Sequence, residues 1–431
     1  MARIKAHLAI PVAAALFAAF ALGACSSSKG SGSAATADNS PVTLTFWGTY
    51  GNGGNKTQTD VLNGQLIPAF EAAHPNVKVN YVDVPYDSLL QKLTTGAAGG
   101  ELPDLVRSDI IWVPKFAALG VYAQLDGKMP NFDALSKATY PGSLSTAAWQ
   151  GHYYGLPLDT NTRVLITNQD ALTSAGISAP PATFADLQAD APKLAAKKIS
   201  AFADSGLQGW NILPWIWSGG GEITDPGLTK ATGYLNSPQN VATVQMLVDL
   251  YKQGAIPNLL IGNKGAVQTS DGLPKGNYAD ILDGPWMAGI WAGQYASFKP
   301  VYSPMPAGAG SSVSVVGGED IVMTTASKHQ AAAEEFLAFT QTSTWQLAMA
   351  KTGQMSVVSA DDAQEASDTP ALAPYITQLA TAKSRPAVPD EPQIDTALQD
   401  DLTPAFEGKT TVQAALDKAA QDIDPLLTAT K

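Results

Sequence analysis

The chain of 431 residues carries a net charge of −12, a sequence pI of about 4.7 and a 45% apolar composition. So acidic a chain, without a basic cluster to neutralise phosphates, argues against nucleic-acid binding, while the apolar fraction supports large buried cores. Cys25 is the one cysteine, so no internal disulfide is expected. His7, His74, His152 and His329 never fall at ligand spacing, so no metal site and no cofactor is expected either.

The first seven residues hold Arg3 and Lys5, residues 8–21 are almost wholly apolar, and Leu22-Gly23-Ala24-Cys25 ends the run. A basic start, a short apolar run and a small-residue end form a secretory signal, not a membrane span, which needs about 20 apolar residues. The last four of these residues resemble the lipobox of bacterial lipoproteins, where the Cys is lipidated and becomes the first residue of the mature chain. That resemblance implies a signal peptide over residues 1–24 and a membrane anchor at Cys25, outside the cytoplasm. Acyl chains contribute about 0.8 kcal/mol per buried methylene. The Gly/Ser/Ala-rich stretch that follows makes residues 25–41 a flexible tether.

Beyond the tether, Val42, Leu44 and Phe46 alternate with period two and predict a strand through Trp47. Leu62, Leu66, Ile67 and Phe70 follow helical spacing, and Val77, Val79 and Tyr81 alternate again. Strand, helix and strand within about forty residues form a βαβ unit with parallel strands. Leu89, Leu90 and Leu93 predict the next helix, residues 102–106 a short strand, and a helix from about Ile110 closes near Gly120. A second α/β block follows. Residues 164–166 form a buried strand, Thr183 is the N-cap of a helix, and Ser237-Pro238 opens another that ends at Gly254. Residues 279–282 form a strand. Ser327 to Gln330 has the form of a capping box before an Ala-rich helix with Phe336 and Phe339, and a last helix starts near Thr411. Ligands in open α/β sheets sit beyond the carboxyl ends of strands, so two such blocks face each other across a cleft.

Several segments resemble the extracellular solute-binding proteins of carbohydrate ABC importers, the maltose- and trehalose-binding group. They are Leu44-Thr45-Phe46-Trp47, Leu102-Pro103-Asp104-Leu105, Phe116 through Leu125, Tyr154-Gly155-Leu156-Pro157, Gly219-Gly220-Gly221-Glu222-Ile223, Asp283-Gly284-Pro285-Trp286 and Gly317-Gly318 before Ile321. Their order and spacing span essentially the whole mature chain. The resemblance implies an α/β, two-lobed periplasmic-binding-protein fold, type II-like, with a hinge and an interlobe cleft. It implies an N-terminal lobe over residues 42–157 plus 318–350 and a C-terminal lobe over residues 158–317 plus 351–431. It further implies a monomer that delivers a sugar to the permease subunits of an ABC importer and performs no catalysis.

A sugar ring has an apolar face and a rim of hydroxyls, so a site wants aromatic platforms and polar groups around them. Trp47 and Trp286 end strands at the expected cleft and match positions of the family. Trp210 and Trp217 lie in one aromatic-rich run, whereas Trp112, Trp149, Trp291 and Trp345 are read as core. Asp109, Asp159, Asn161, Asp283 and Glu319 are the candidate rim groups, and Gly317 and Gly318 would allow close backbone approach. Arg385 falls where similar sequences place an Arg near the cleft, able to bond a hydroxyl or to pair with Asp109 or Asp283. Two rival readings stay open. One is a binding protein for another solute such as a polyamine, which also calls for carboxylates and aromatics. The other is an exported glycoside hydrolase, for which no pair of carboxylates shows a local signature.

Overall fold

The computed structural model describes residues 40–51, 56–263 and 265–428. The signal peptide, Cys25 and nearly all of the expected tether lie outside them.

The strands in chain order are β1 (Val42–Gly48), β2 (Val77–Asp83), β3 (Leu105–Asp109), β4 (Ala148–Trp149), β5 (His152–Tyr153), β6 (Leu156–Thr162), β7 (Val164–Thr167), β8 (Ser200–Ala203), β9 (Tyr278–Asp283), β10 (Val301–Ser303) and β11 (Val316–Met323). The first sheet has the order β2-β1-β3-β11-β6, with β1 parallel to both neighbours and β11 antiparallel to β3 and β6. The second has the order β10-β7-β9-β8, with β8 and β9 parallel and β7 antiparallel to β9 and β10. The short β4–β5 pair stands apart.

Each sheet buries its apolar alternation against helices. Phe46 of β1 meets Tyr81 and Phe336 edge-on, with ring centroids 5.5 Å away in each case, and Phe336 meets Trp345 at 5.6 Å. Such pairs contribute about 0.5–1.5 kcal/mol each beyond the area they bury. In the second core Trp215 packs between Phe184 and Phe202, and the C-terminal helices Glu391–Phe406 and Val412–Thr428 close over it with Leu398, Leu402 and Leu416.

Local chemistry accounts for several element boundaries. Thr183 and Asp186 form a reciprocal capping box on helix Phe184–Ala195. Pro238 fills the first turn of helix Pro238–Lys252, where its missing N–H costs nothing. Two expectations are corrected. The strand expected from Leu102 begins at Leu105, because Pro103 has no N–H for the ladder and the Asp104 carboxylate accepts the N–H of Thr45 at 2.8 Å. The capping box expected at Ser327 does not form. Its hydroxyl donates to Asp104 at 2.6 Å and accepts from the N–H of His329, and helix Gln330–Thr340 starts without a side-chain cap.

The passage between sheets is abrupt. β6 pairs with β11 as far as Thr162, and β7 of the second sheet starts at Val164. The passage from the first sheet to the second therefore falls on the single residue Arg163. Its guanidinium is 2% exposed, holds Asp204 through two bonds of 2.9 and 2.8 Å, and donates to the carbonyls of Trp210 and Leu282. These bonds to both terminal nitrogens offset the cost of burying the charge.

Candidate functional site

A cavity of about 660 Å³ lies beyond the strand ends, lined from both sheets and from the helices after them. The carboxyl end of β3 brings Asp109, β6 brings Asn161, β9 and its turn bring Asp283 and Trp286, and β11 brings Gly317, Gly318 and Glu319. Helix Gly209–Ser218 contributes Trp210, the loop before helix Glu391–Phe406 contributes Arg385, and that helix contributes Asp395. Residues up to 347 positions apart, Thr49 and Thr396, thus converge near strand ends, where open α/β sheets leave space for a ligand.

The aromatic wall is a pair. Trp210 and Trp286 stack with centroids 6.1 Å apart at 29°. Gly284 leaves the room that Trp286 occupies, since a Cβ there would stand 2.1 Å from the indole. Gly317 does the same for Trp210, since a Cβ would lie 2.6 Å from its ring and 2.3 Å from Asn161 Oδ1. The Arg163 and Arg385 guanidiniums lie 5.5 and 5.8 Å from the Trp210 ring centroid, within cation–π range. On the opposite side Tyr86 and Trp112 form a second aromatic pair with centroids 5.4 Å apart.

Two arginines organise the acidic groups. Arg385 stands 3.6 Å from Asp109, 3.9 Å from Glu391 and 3.7 Å from Asp395. Asp395 also accepts the N–H of Gly209 at 2.7 Å, which fixes the helix start that carries Trp210. Arg107 of β3 contacts Glu319 at 2.8 Å, Asp159 at 3.4 Å, Gln354 at 2.7 Å and Thr49. Burial pushes the Glu319 carboxyl well up, against the pull of Arg107, and the neighbouring Asp159 pushes it further. Burial also raises Asp283, to about 6, with Arg163 and the Gly284 N–H acting against it. Asp109 accepts the N–H of Ile111 at 3.0 Å and the Tyr86 hydroxyl at 2.5 Å, so it caps the turn that follows β3 and lines the cavity at once.

Of the expected site residues, Asp109, Asn161, Trp210, Asp283, Trp286, Gly317, Gly318, Glu319 and Arg385 share this cavity. Trp47, Asp159 and Trp217 do not line it. Trp47 packs into a core layer on the far side of β1, with Lys92 Nζ 4.1 Å over its ring. Asp159 sits beneath the cavity floor, spent on Arg107. Trp217 lies about two turns beyond Trp210 on the same helix, deeper in the second core, with Lys383 Nζ 5.8 Å from its ring centroid.

Trp112, read as core, is both buried and a wall of the cavity. Arg107, Tyr86, Gln354 and Asp395 were missed. An arginine inside the buried strand Leu105–Asp109 was the available signal, since a charge there requires partners.

A family model for bacterial extracellular solute-binding protein matches residues 55–347. A Brucella abortus protein named as a binding protein is 26% identical over 373 residues, covering 84% of this chain and 89% of that one. The galactooligosaccharide-binding protein of Bacillus subtilis is 23% identical over 370 residues, covering 82% and 84%. Among solved structures, the GacH receptor of Streptomyces glaucescens, determined unliganded and with acarbose, matches with a TM-score of 0.81 at 22% identity, over 91% of this chain and 100% of that chain. The fold is the two-lobed α/β fold of such binding proteins.

Proposed function

The chain belongs to the bacterial extracellular solute-binding proteins, and from that premise we propose that its cavity captures a sugar or oligosaccharide outside the cytoplasm and hands it to the permease of an ABC importer. The observation that carries this reading is the Trp210–Trp286 pair beside Asp109, Asn161, Asp283 and Glu319. Flat apolar faces flanked by hydrogen-bond acceptors complement a sugar ring and its hydroxyl rim. The galactooligosaccharide-binding relative and the acarbose-bound structure support the same class of ligand.

In this reading the lobes are those expected from the sequence, with the first transition moved to Arg163 because β6 stays in the first sheet. Arg385 joins Asp109 at the end of β3 to the helix Glu391–Phe406, so lobe closure and ligand capture are one motion about the connecting strands.

Thermal shift against a panel of sugars, polyamines and peptides tests the reading. A sugar at 100 times its dissociation constant is expected to stabilise the protein by about 2.7 kcal/mol. It should be recovered unchanged by chromatography after long incubation. Every cavity carboxyl named above is tied to a guanidinium, an N–H or a hydroxyl, an arrangement suited to holding a ligand. Cleaved sugar, lost on mutating a cavity carboxylate, would move the assignment to a glycoside hydrolase. Stabilisation by polyamines alone would replace sugar with a cation.

The same proposal includes anchoring. Among the described residues no helix is long and apolar enough to cross a membrane, and the lipobox-like Leu22-Gly23-Ala24-Cys25 supplies the attachment point. Cys25→Ala is expected to release the protein from the membrane fraction or mislocalise it. Mass spectrometry of membrane-bound protein from its own host that found Cys25 unmodified would contradict this.

A further inference from the structure

We propose that the saccharide this cavity selects carries a protonated amine, an inference that rests on the sugar reading above and narrows its class. The lining carries more carboxyls than guanidiniums and one unpaired amide oxygen. Both of its guanidiniums are spoken for, Arg385 by Asp109, Glu391 and Asp395, and Arg107 by Asp159 and Glu319. No free cation is left among them to receive a phosphate or a carboxylate. Asn161, 5% exposed on the cavity wall, has an Oδ1 with no hydrogen-bond partner, and an unpaired buried acceptor is costly. A ligand that donates is therefore required, and hydroxyl and ammonium groups both donate.

Charge separates the two. Acidic groups outnumber guanidiniums in each cluster, and burial raises Glu319, Glu391, Asp395 and Asp283 above the ordinary carboxyl range. Burial is the main cause of each shift, and a cation brought beside such a carboxyl would favour its charged form. Asp283 is the group best placed to meet it. It lies at the end of β9 beside the stacked tryptophans, so an ammonium there gains a charge-assisted bond and an aromatic face together. The groups that face Asp283 are Arg163 and Asp204 from beneath, Trp286 and the Gly284 N–H from its own turn, and Tyr375 from helix Ala373–Leu379. Arg163 is held bidentately by Asp204, which leaves Asp283 without a dedicated partner cation.

The sign of the pH dependence follows. Below about 6 Asp283 is protonated and offers the amine no charge; above it the carboxylate is present and the preference appears. Binding near that pH expels the proton, so an amine ligand releases protons and a neutral sugar does not.

The test is calorimetry on the full-length chain in detergent, with three β-1,4-linked disaccharides of similar shape: the glucosamine dimer, its N-acetylated form and cellobiose. Glucose 6-phosphate and spermidine serve as further probes. The glucosamine dimer is expected to bind roughly tenfold or more tighter than cellobiose at neutral pH, as one charge-assisted bond predicts. N-acetylation should abolish the gain. The ratio should fall toward one as the pH drops through about 6. Asp283→Asn should collapse the ratio and Asp283→Glu should keep most of it, with apo melting temperatures confirming that both variants fold. Equal affinity for cellobiose and the glucosamine dimer, or tighter binding of glucose 6-phosphate, defeats the amine inference and leaves the sugar reading standing. Binding of spermidine with no disaccharide bound defeats the sugar reading itself. No heat from the glucosamine dimer at about 1 mM, the weak end of specific binding, also overturns the inference.

Discussion

Trp286→Ala is expected to weaken saccharide binding roughly thirtyfold, about 2 kcal/mol, as truncation of a central aromatic hot spot does. Trp286 outranks its partner for a structural reason. Trp210 is packed by the Arg163 and Arg385 guanidiniums as well as by Trp286, so much of its ring serves the protein itself. Trp286 opens helix Trp286–Gln294 at the end of β9 and, half-buried like Trp210, has no guanidinium recorded over its ring among the described residues. Trp210→Ala should also lower affinity, partly by letting Trp286 shift. The two losses should then fall short of adding in the double variant, because the rings touch. The control is the melting temperature without ligand. Lost affinity at an unchanged apo melting temperature supports direct contact. Unchanged affinity in Trp286→Ala would remove the residue from the site, and a silent Trp210→Ala beside it would end the aromatic-platform model.

Arg163→Ala should produce the largest loss of stability, about 3–5 kcal/mol, because it strands the buried Asp204 carboxylate. The same guanidinium donates to the Trp210 carbonyl and lies over the Trp210 ring, so ligand affinity should fall as well. Urea unfolding measures the first effect as a lowered midpoint at constant slope. The double variant Arg163→Met with Asp204→Leu separates loss of a charge partner from loss of packing. Replacing both charges by apolar groups is often close to neutral, so the double should recover most of the stability. A single variant that lost less than about 1 kcal/mol would show that the bonds Asp204 already accepts from Asn211 at 2.5 Å and from the N–H of Ser205 at 2.8 Å suffice to hold its carboxylate.

Much of the site was legible because its residues sit at strand ends or in turns with recognisable composition. Asp283-Gly284-Pro285-Trp286 and Gly317-Gly318-Glu319 announce a turn and a close approach, and both line the cavity. Arg385 was placed near the cleft by resemblance, and it meets Asp109 there. What escaped was partnership. Arg107 finds Gln354 from 247 positions away, and Asp395 fixes the N–H of Gly209 from 186 positions away. No local spacing encodes such pairs.

Taken by itself, the sequence determined the parallel β1–β2 unit, the helix starts at Thr183 and Pro238 and the family membership. Each rests on periodicity, capping or short motifs, which act over a few residues. Tertiary structure alone decided which tryptophans face the cavity. Trp47 lies near the end of β1 and Trp286 just past the end of β9, yet β1 lies between β2 and β3 and turns Trp47 into a helix-covered layer, while β9 ends in a glycine-proline turn that swings Trp286 beside Trp210. The difference is set by sheet order and by the room two glycines leave, and neither is a property of the residues next to the tryptophan in the chain.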